Sequence, residues 1–493
     1  MSSASIAIPA RTAPEQRIAP SLPGLPVLPF IPFLVVLATG GSSYTLASSL
    51  VVVELIFLAM AIRNPIWVLG AIFVSELTIK NYFLNLGGTE ISTRLFITMA
   101  SALIVFPKVA HDRDFGPRAK PILVAAAGFS LLTTLANMAS SDFAYVSQFF
   151  RYIVCGIVAL FLIPLLVKSR ESLLQVLLVA FVLGTASGIA AVAQHYAHAG
   201  APMIAIAPNS LVKESFESWG DRALGLTESP VYVANDLLLI FFPVLGVVLT
   251  RALGQRGLQL AAITALILAL ALYFSQTRSW IYAAVPAIVV MAFFLNGKMA
   301  RDVFIALIIA GGAFFFWTER AGNRYSLSYS EDDSASTRPV LWTASVNIAI
   351  DHPVLGVGHD AFLELSPEYA NRVDRDLLET QGAGEALGKF TPHNDPLNVW
   401  LSFGTFAFIL YLAIIWFTAG NFIYATKQFP DTLLSGISLG CLGALIATQV
   451  NAFFHNYFDS SMSLWLLAGF SIAMATLAAR MRDERAEPVE ATT

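Results

Sequence analysis

The sequence predicts an all-α polytopic membrane protein, a bundle of about 12–14 transmembrane helices, and three observations support this fold class. First, 56% of the 493 residues are hydrophobic and only 13% are charged, whereas a soluble domain carries about 25% charged residues; the mean hydropathy is +0.69. Second, the apolar residues form blocks of about 20 residues, which as helices cross a hydrocarbon core of roughly 30 Å. Third, the period-two alternation of an outer-membrane barrel is absent.

Fourteen apolar blocks qualify as membrane spans. The first four are short and interrupted by Pro or Gly, so twelve or thirteen spans is an alternative count. The blocks are 27–41, 44–62, 64–79, 92–107, 121–139, 145–167, 172–195, 230–250, 258–275, 279–296, 302–318, 396–418, 433–455 and 460–480.

The distribution of basic residues predicts the orientation of these spans. Membrane proteins concentrate Lys and Arg in their cytoplasmic connections. If the N-terminus is cytoplasmic, 17 of the 29 basic residues fall on the inner side. We therefore expect a bacterial inner-membrane protein with both termini in the cytoplasm. The short outer connections then hold only Lys80, Arg94, Lys213, Arg222 and Arg278.

The lengths of the connections predict how the chain is divided. The polar, Pro-rich segment 1–26 lacks the pattern of a signal peptide, so we expect a disordered cytoplasmic tail. Cys155 and Cys441 fall within spans, so no disulfide is expected, and there is no basic patch for nucleic acid. The remaining segments are transmembrane helices at 27–318 with a medium periplasmic loop at 196–229, a long periplasmic loop at 319–395, C-terminal transmembrane helices at 396–480 and a cytoplasmic tail at 481–493.

The long loop, residues 319–395, contains signals of structure. Ser336 to Pro339 predict a helix start with a hydroxyl cap and Pro in the first turn. The sequence Asp351-His352-Pro353 predicts the end of this helix, because a residue before Pro avoids the α region. A Gly-Val-Gly turn follows, without the rest of a phosphate-loop motif. A second short helix is expected near 360–369.

Two arginines on the predicted outer side are candidates for binding a phosphate group. Arg222 precedes a span, and Arg278 begins one in Ser275-Gln276-Thr277-Arg278-Ser279-Trp280. A guanidinium is always charged and binds phosphate oxygens in pairs. The alternatives are a solvated loop charge at Arg222 and a headgroup contact beside a Trp anchor at Arg278. An arginine on the outer side departs from the preference of basic residues for the cytoplasmic side, and this favours a functional role.

His393 is the candidate proton acceptor, since an imidazole titrates near neutral pH and can take a proton from a hydroxyl. It lies where the long loop re-enters the membrane, beside Asn394, and its alternative is a surface histidine at a helix start. His455 belongs to a second His-Asn pair and is a possible supporting residue. Arg338 could cap or orient the loop helix, or contact a sugar.

Other polar residues have weaker functional readings. His195 and His198 are spaced for a shared metal, but no third ligand is evident, so no metal or other cofactor is expected. Glu54 and Arg151 fall deep in predicted spans, where charges are costly and usually paired. We favour a structural or groove-lining pair over a proton path, and the sequence leaves open whether the two residues meet.

The order of these blocks resembles the O-antigen ligase and Wzy-type polymerase superfamily. The resemblance is most specific from residue 220 onward, while the first 200 residues contribute only their hydropathy pattern. Ser229-Pro230-Val231 departs from the Asn-Pro-Asn-like run that is usual in the family. The residues that carry the resemblance are Arg222-Ala223-Leu224-Gly225, Ser275 to Ser279, Arg338, Trp342, His352-Pro353, Leu355 to Gly358, His393-Asn394, Leu397, Leu401 and Gly404.

The resemblance implies a GT-C-type membrane glycosyltransferase, inverting and independent of metal, that uses an undecaprenyl-diphosphate-linked oligosaccharide as donor. It implies that Arg222 and Arg278 bind the diphosphate. His393 would assist attack of the acceptor hydroxyl, and Asn394 would orient or support His393. The implied partners are the lipid-linked donor, an acceptor glycan or lipid-linked glycan, membrane lipids and possible association with a chain-length regulator.

The acceptor separates two kinds of enzyme within this superfamily. A ligase joins the glycan to a lipid A core, and a polymerase joins repeat units of O-antigen or exopolysaccharide. Loop length and the short N-terminal spans favour the polymerase, with acceptor choice expected in segment 364–389. A polysaccharide or lipid transporter is a further alternative. It would predict an internal repeat and charges near the bilayer midplane, whereas the notable charges here cluster at the outer boundary.

Overall fold

The structure is a computed structural model, and it describes most of the chain. The expected tail at 1–26, His198 and most of the medium loop lie outside the described residues. The described ranges are 28–38, 43–78, 83–86, 89–109, 115–139, 143–196, 222–295, 297–321, 325, 334–359, 361–379, 383–429, 432–458 and 461–486.

The bundle is built from long apolar helices joined by connections of unequal length. The described chain begins with a 3₁₀ turn at Leu28–Phe30. Up to residue 196 the helices are α1 (Ile31–Ala38), α2 (Ser43–Arg63), α3 (Val68–Leu77, after a 3₁₀ turn at Pro65–Trp67), α4 (Thr93–Val109), α5 (Ala119–Ala139), α6 (Phe143–Leu166) and α7 (Arg170–Tyr196).

The second half of the chain alternates membrane helices with one folded loop. The membrane helices are α8 (Pro230–Thr250), α9 (Gln255–Phe274), α10 (Ser279–Ala292), α11 (Gly297–Ala321), α15 (Asp395–Gln428), α16 (Thr432–Asn451) and α17 (Ser463–Ala486). The loop between α11 and α15 contains α12 (Ser334–Asp351), α13 (Phe362–Leu365) and α14 (Arg375–Glu379), with 3₁₀ turns at Ser366–Arg372 and Ala383–Ala386.

The all-α membrane bundle predicted from the sequence is confirmed, and a helix lies at each of the fourteen predicted positions. One element was not predicted, a hairpin of β1 (Phe83–Leu86) and β2 (Thr89–Ser92) paired antiparallel in the connection before α4. Helix α17 also runs to Ala486, so the predicted tail at 481–493 begins inside a helix.

Eight of the described helices are long and apolar enough to cross a membrane, namely α5, α7, α8, α9, α11, α15, α16 and α17. The apolar helices at Pro65–Leu77, Ile153–Leu166 and Ser279–Ala292 are shorter. Large apolar side chains such as Leu103, Phe293 and Trp416 are exposed on the outside of the bundle, as expected where lipid replaces water.

Contacts between the helix ends agree with an alternating up-and-down path. At one end, Lys108 donates to the carbonyl oxygens of Ala61 and Ile62, and the Arg118 guanidinium lies 3.7 Å from the ring centroid of Tyr424. These basic residues all belong to the predicted inner side. The opposite end carries Arg222, Arg278 and His393, and we call it the site end.

A buried ion pair at the site end ties the first helices to the last one. Arg94 and Glu76 are 3.2 Å apart, with side chains at most 1% exposed. Glu76 also accepts hydrogen bonds from Ser461 (2.6 Å) and from the Met462 amide (2.8 Å), as a buried charge requires. The pair considered from the sequence was a different one, Glu54 and Arg151. Glu54 is buried in α2, and the side chain of Arg151 lies outside the described residues.

The long loop folds as a small helical unit with its own apolar core. Its first helix ends at Asp351, as predicted, but begins at Ser334, so Pro339 lies inside the helix. The His359 amide donates to Asn137 at the end of α5, which fastens the unit to the bundle. The core residues are Val340, Leu341, Ala344, Ile348, Ala349, Phe362, Val373, Ala386, Leu387 and, from α15, Leu401.

Helix α15 is broken where this unit rests on it. Gly404 has φ 79° and ψ 176°, and the amide groups of Val357, Gly358 and Thr405 make hydrogen bonds across the break. A Cβ on Gly404 would lie 2.3 Å from the Val354 carbonyl oxygen, and one on Gly356 would lie 2.4 Å from the Ser402 carbonyl carbon. Two backbones therefore meet at a distance that only glycine allows.

Gly404→Ala is expected to lower the free energy of unfolding by roughly 2–4 kcal/mol, because the new Cβ overlaps backbone at a left-handed φ. Gly420→Ala in the same helix is the control. A Cβ there meets nothing within 4 Å, so this change is expected to stabilise the helix by about 0.5–1 kcal/mol. Thermal unfolding in detergent measures both. Equal effects of the two substitutions would contradict the close approach.

Candidate active site

Arg222 lies at the start of a buried segment that leads into α8. The guanidinium is held against the turn between α9 and α10: Nε donates to the Ser275 carbonyl at 3.1 Å and Nη2 to the Thr277 hydroxyl at 2.9 Å. The Ala223 amide donates to the Phe274 carbonyl at 3.0 Å. These bonds fix the plane of the guanidinium beside the segment that carries Arg278.

Arg278 lies at the N-terminus of α10, in a turn with an unusual backbone. Gln276 has φ 50°, in the left-handed region that a non-glycine residue adopts at a cost. The Thr277 hydroxyl donates to the Pro230 carbonyl at 3.1 Å, which joins this turn to the start of α8. Arg278 is therefore fixed in the backbone and partly exposed at the side chain.

His393 also has a left-handed backbone, with φ 49°. The residues on either side are fixed, since the Trp342 indole donates to the Pro392 carbonyl at 3.0 Å and the Asn394 amide donates to Asn456 at 3.0 Å. Asn394 caps α15 by accepting from the Leu397 amide at 3.0 Å. The imidazole is thus presented from a constrained turn at the start of a membrane helix.

The segment Phe454–Tyr457, between α16 and α17, connects these parts, and we call it the hub segment. Nε2 of His455 and the hydroxyl of Ser279 are hydrogen-bonded at 2.9 Å. Asn456 donates to Thr391 at 2.7 Å in addition to accepting from Asn394. In the same segment, the Tyr457 amide donates to Asp395 (2.8 Å) and the Tyr457 hydroxyl donates to the Val231 carbonyl (3.1 Å).

Arg338 projects from the loop helix α12 toward the same place. Its guanidinium lies 5.7 Å from the ring centroid of Phe454, within the range of a cation–π contact. Burial lowers the pKa of His393, and the Arg338 charge lowers it further. Burial likewise holds the pKa of His455 well below its ordinary value, with added effects of Arg338, His393 and Arg222. Both imidazoles are therefore neutral near pH 7 and able to accept a proton.

Helix dipoles add to the positive potential of the site end. Helices α8, α10, α15 and α17 all begin there, at Pro230, Ser279, Asp395 and Ser463. The N-terminus of a helix carries the equivalent of roughly half a positive charge. A group with several negative oxygens is accordingly favoured at this end.

The predicted site residues come together, but through contacts that the sequence did not reveal. Arg222 reaches the turn of Arg278, His455 reaches Ser279, and Arg338 influences both histidines. Asn394 caps helix α15. The residues that the sequence analysis missed are Gln194, Thr277, Asp395 and Tyr457, and only their polarity inside or beside apolar spans could have drawn attention to them.

No metal-binding cluster of three or more His, Cys, Asp or Glu side chains occurs within the described part of the chain. His195 stacks on Phe274 with the ring centroids 3.9 Å apart, an aromatic contact. His198, its predicted partner for a metal, lies outside the described residues.

Comparison with known families gives a match over part of the chain. Residues 263–412 match the family model described as O-Antigen ligase (Wzy_C). This segment runs from α9 through the folded loop to the middle of α15, so it contains Arg278, Arg338, His393 and Asn394, whereas Arg222 and His455 lie outside it. No curated protein matches the chain at a significant level.

The fold is that of a polytopic membrane bundle, in which eight of the described helices are long and apolar enough to cross a membrane. Over residues 263–412, less than half of its length, the chain is similar to the O-antigen ligase family.

His393→Gly is expected to leave the protein as stable as the wild type or more stable by about 1 kcal/mol, because glycine removes the left-handed strain. His352→Gly is the control. His352 lies outside the left-handed region, so glycine there relieves no strain and only adds conformational entropy to the unfolded chain. Thermal unfolding in detergent compares them. A marked loss of stability in His393→Gly would show that the imidazole has a structural role larger than the strain.

Proposed function

We propose that the protein is a polysaccharide polymerase that transfers a glycan from an undecaprenyl-diphosphate-linked donor to an acceptor sugar at the periplasmic face. The observation that carries this proposal is the hub segment, which ties the start of α10 and the turn of His393 to the start of α8. A cationic surface and neutral imidazoles thereby share the lipid–water boundary.

The chemistry divides between these two kinds of side chain. The acceptor hydroxyl oxygen attacks the anomeric carbon while the bond from that carbon to the diphosphate oxygen breaks. The diphosphate leaves with the electron pair, and Arg222 and Arg278 stabilise its charge. His393 takes the proton of the hydroxyl. Asn394 supports His393 by fixing the start of α15, and Arg338 and His455 are supporting residues.

Joining of repeat units is favoured over ligation to a lipid A core by the folded loop. The loop contacts the site through Arg338 and Trp342, and its segment 364–389 would select the acceptor glycan. Incubation with the lipid-linked repeat unit alone separates the two functions. A polymerase converts the repeat units into longer lipid-linked chains, whereas a ligase forms product only when a lipid A core is added. Product that depends on lipid A core would establish the ligase.

This function requires a particular orientation and particular partners. The site end faces the periplasm of a bacterial inner membrane, and both termini are cytoplasmic. The donor enters from the bilayer, the acceptor is a glycan or lipid-linked glycan, and a chain-length regulator is a candidate partner. No metal or other cofactor is needed.

Arg278→Ala and His393→Ala are each expected to reduce product formation by about 10² or more, because one removes charge stabilisation and the other removes the proton acceptor. Product formation is measured with reconstituted protein and lipid-linked donor. The assay contains EDTA, which should leave the activity of the wild type intact. Arg301→Ala is the control, since Arg301 is exposed and pairs with Asp302 on the predicted inner side. Normal product from both site variants, or a strict need for a divalent ion, would contradict the mechanism.

Replacement of Arg338 by Gln is expected to shift the pH dependence of activity. The Arg338 charge opposes protonation of His393, so its removal raises the pKa of that imidazole. The acid limb of the rate profile should then move to higher pH, with activity lost at pH values where the wild type is still active. Arg301→Gln is the control, because Arg301 is exposed and pairs with Asp302, and its profile should match the wild type. An unchanged acid limb in Arg338→Gln would mean that His393 is not the group that titrates.

A further inference from the structure

Gln194, near the C-terminus of α7, makes three hydrogen bonds with the segment that follows Arg222. Its side-chain oxygen accepts from the amides of Leu224 and Gly225, both at 2.9 Å, and its side-chain nitrogen donates to the Gly225 carbonyl at 3.0 Å. All three bonds are buried, so each lost bond would leave a polar backbone group without compensation from water. One carboxamide thus fixes the path of the backbone two to three residues beyond Arg222.

The same segment receives a fourth bond from α7. The Ser187 hydroxyl, two turns before Gln194, accepts from the Leu226 amide at 3.1 Å. Residues 224–226 therefore lie along one face of α7. Since this segment makes no regular secondary structure before α8, these side chains take the place of a helix or sheet partner for its backbone.

The position of this segment decides where the Arg222 guanidinium lies. Arg222 is held on its other side by Ser275 and Thr277, the residues just before Arg278. The chain is thus fixed to α7 beyond Arg222, and the Arg222 side chain is fixed to the α9–α10 turn. If the bonds to Gln194 are lost, the backbone of Arg222 gains freedom, and the two guanidinium groups lose their fixed spacing.

The geometry points to Gln194 as a positioning residue for the diphosphate site: it acts through Arg222 to hold two guanidinium groups at the spacing that a lipid diphosphate requires. This inference rests on the proposed function. It adds a residue that lies on α7, outside the segment matched by the family model, and that does not itself contact the substrate. Binding of the diphosphate would weaken when Gln194 is replaced, because less of the site is organised in advance.

Binding of undecaprenyl diphosphate to the full-length protein in detergent tests this, with undecaprenyl monophosphate as the comparison ligand. Gln194→Met keeps the side-chain length and removes all three bonds, so we expect binding of the diphosphate to weaken by about tenfold or more, with a smaller effect on the monophosphate. Gln175→Met is the control, because Gln175 lies on the same helix and pairs with Glu171 instead. It should bind as the wild type does.

A double-mutant cycle separates positioning from a general effect on the fold. If Gln194 acts through Arg222, the variant carrying both Gln194→Met and Arg222→Ala binds the diphosphate no more weakly than Arg222→Ala alone. Full additivity of the two effects, or wild-type binding by Gln194→Met, overturns the inference. Ser187→Ala removes one bond and replaces Gln194→Met in the cycle if that variant fails to fold. A wild-type protein that binds the diphosphate no better than undecaprenol would refute the proposed function itself.

Discussion

The site depends on hydrogen bonds made by the short segment between α16 and α17. His455, Asn456 and Tyr457 contact the α9–α10 turn, the end of the folded loop and the start of α8. These three partners are far apart in sequence. Because hydrogen bonds are directional, they fix relative positions that packing of apolar side chains leaves adjustable. The geometry of the candidate site is therefore set largely by the connection between α16 and α17.

Buried charge at the site end is costly unless something matches it. The buried Arg94 guanidinium pairs with the Glu76 carboxylate, and this carboxylate accepts two further hydrogen bonds. Arg222 donates to the Ser275 carbonyl and to the Thr277 hydroxyl. Polar partners from other segments thus hold Arg94 and Arg222 in place at the site end.

Hydropathy was sufficient to locate the long apolar helices of the described chain, since a helix that crosses lipid must be apolar along its whole length. The break at Gly404 and the hairpin before α4 were not predicted, because both arise from contacts between distant backbones. The site residues Arg222, Arg278 and His393 drew attention because charge or an imidazole at a span boundary is unusual. Gln194 and Tyr457 did not, since a single polar residue at the end of a span has many uses and its partner lies in another segment.

The break in α15 has a consequence for exchanging loops between related enzymes. The backbone of residues 353–358 pairs with residues 401–405 across that break, and Leu401 belongs to the core of the folded loop. The boundary of the loop unit thus lies inside a membrane helix, about three helical turns past its first residue. A chimera designed to change acceptor preference would need its downstream junction beyond Thr405. A junction at the membrane surface would take the two sides of this backbone contact from different parent enzymes.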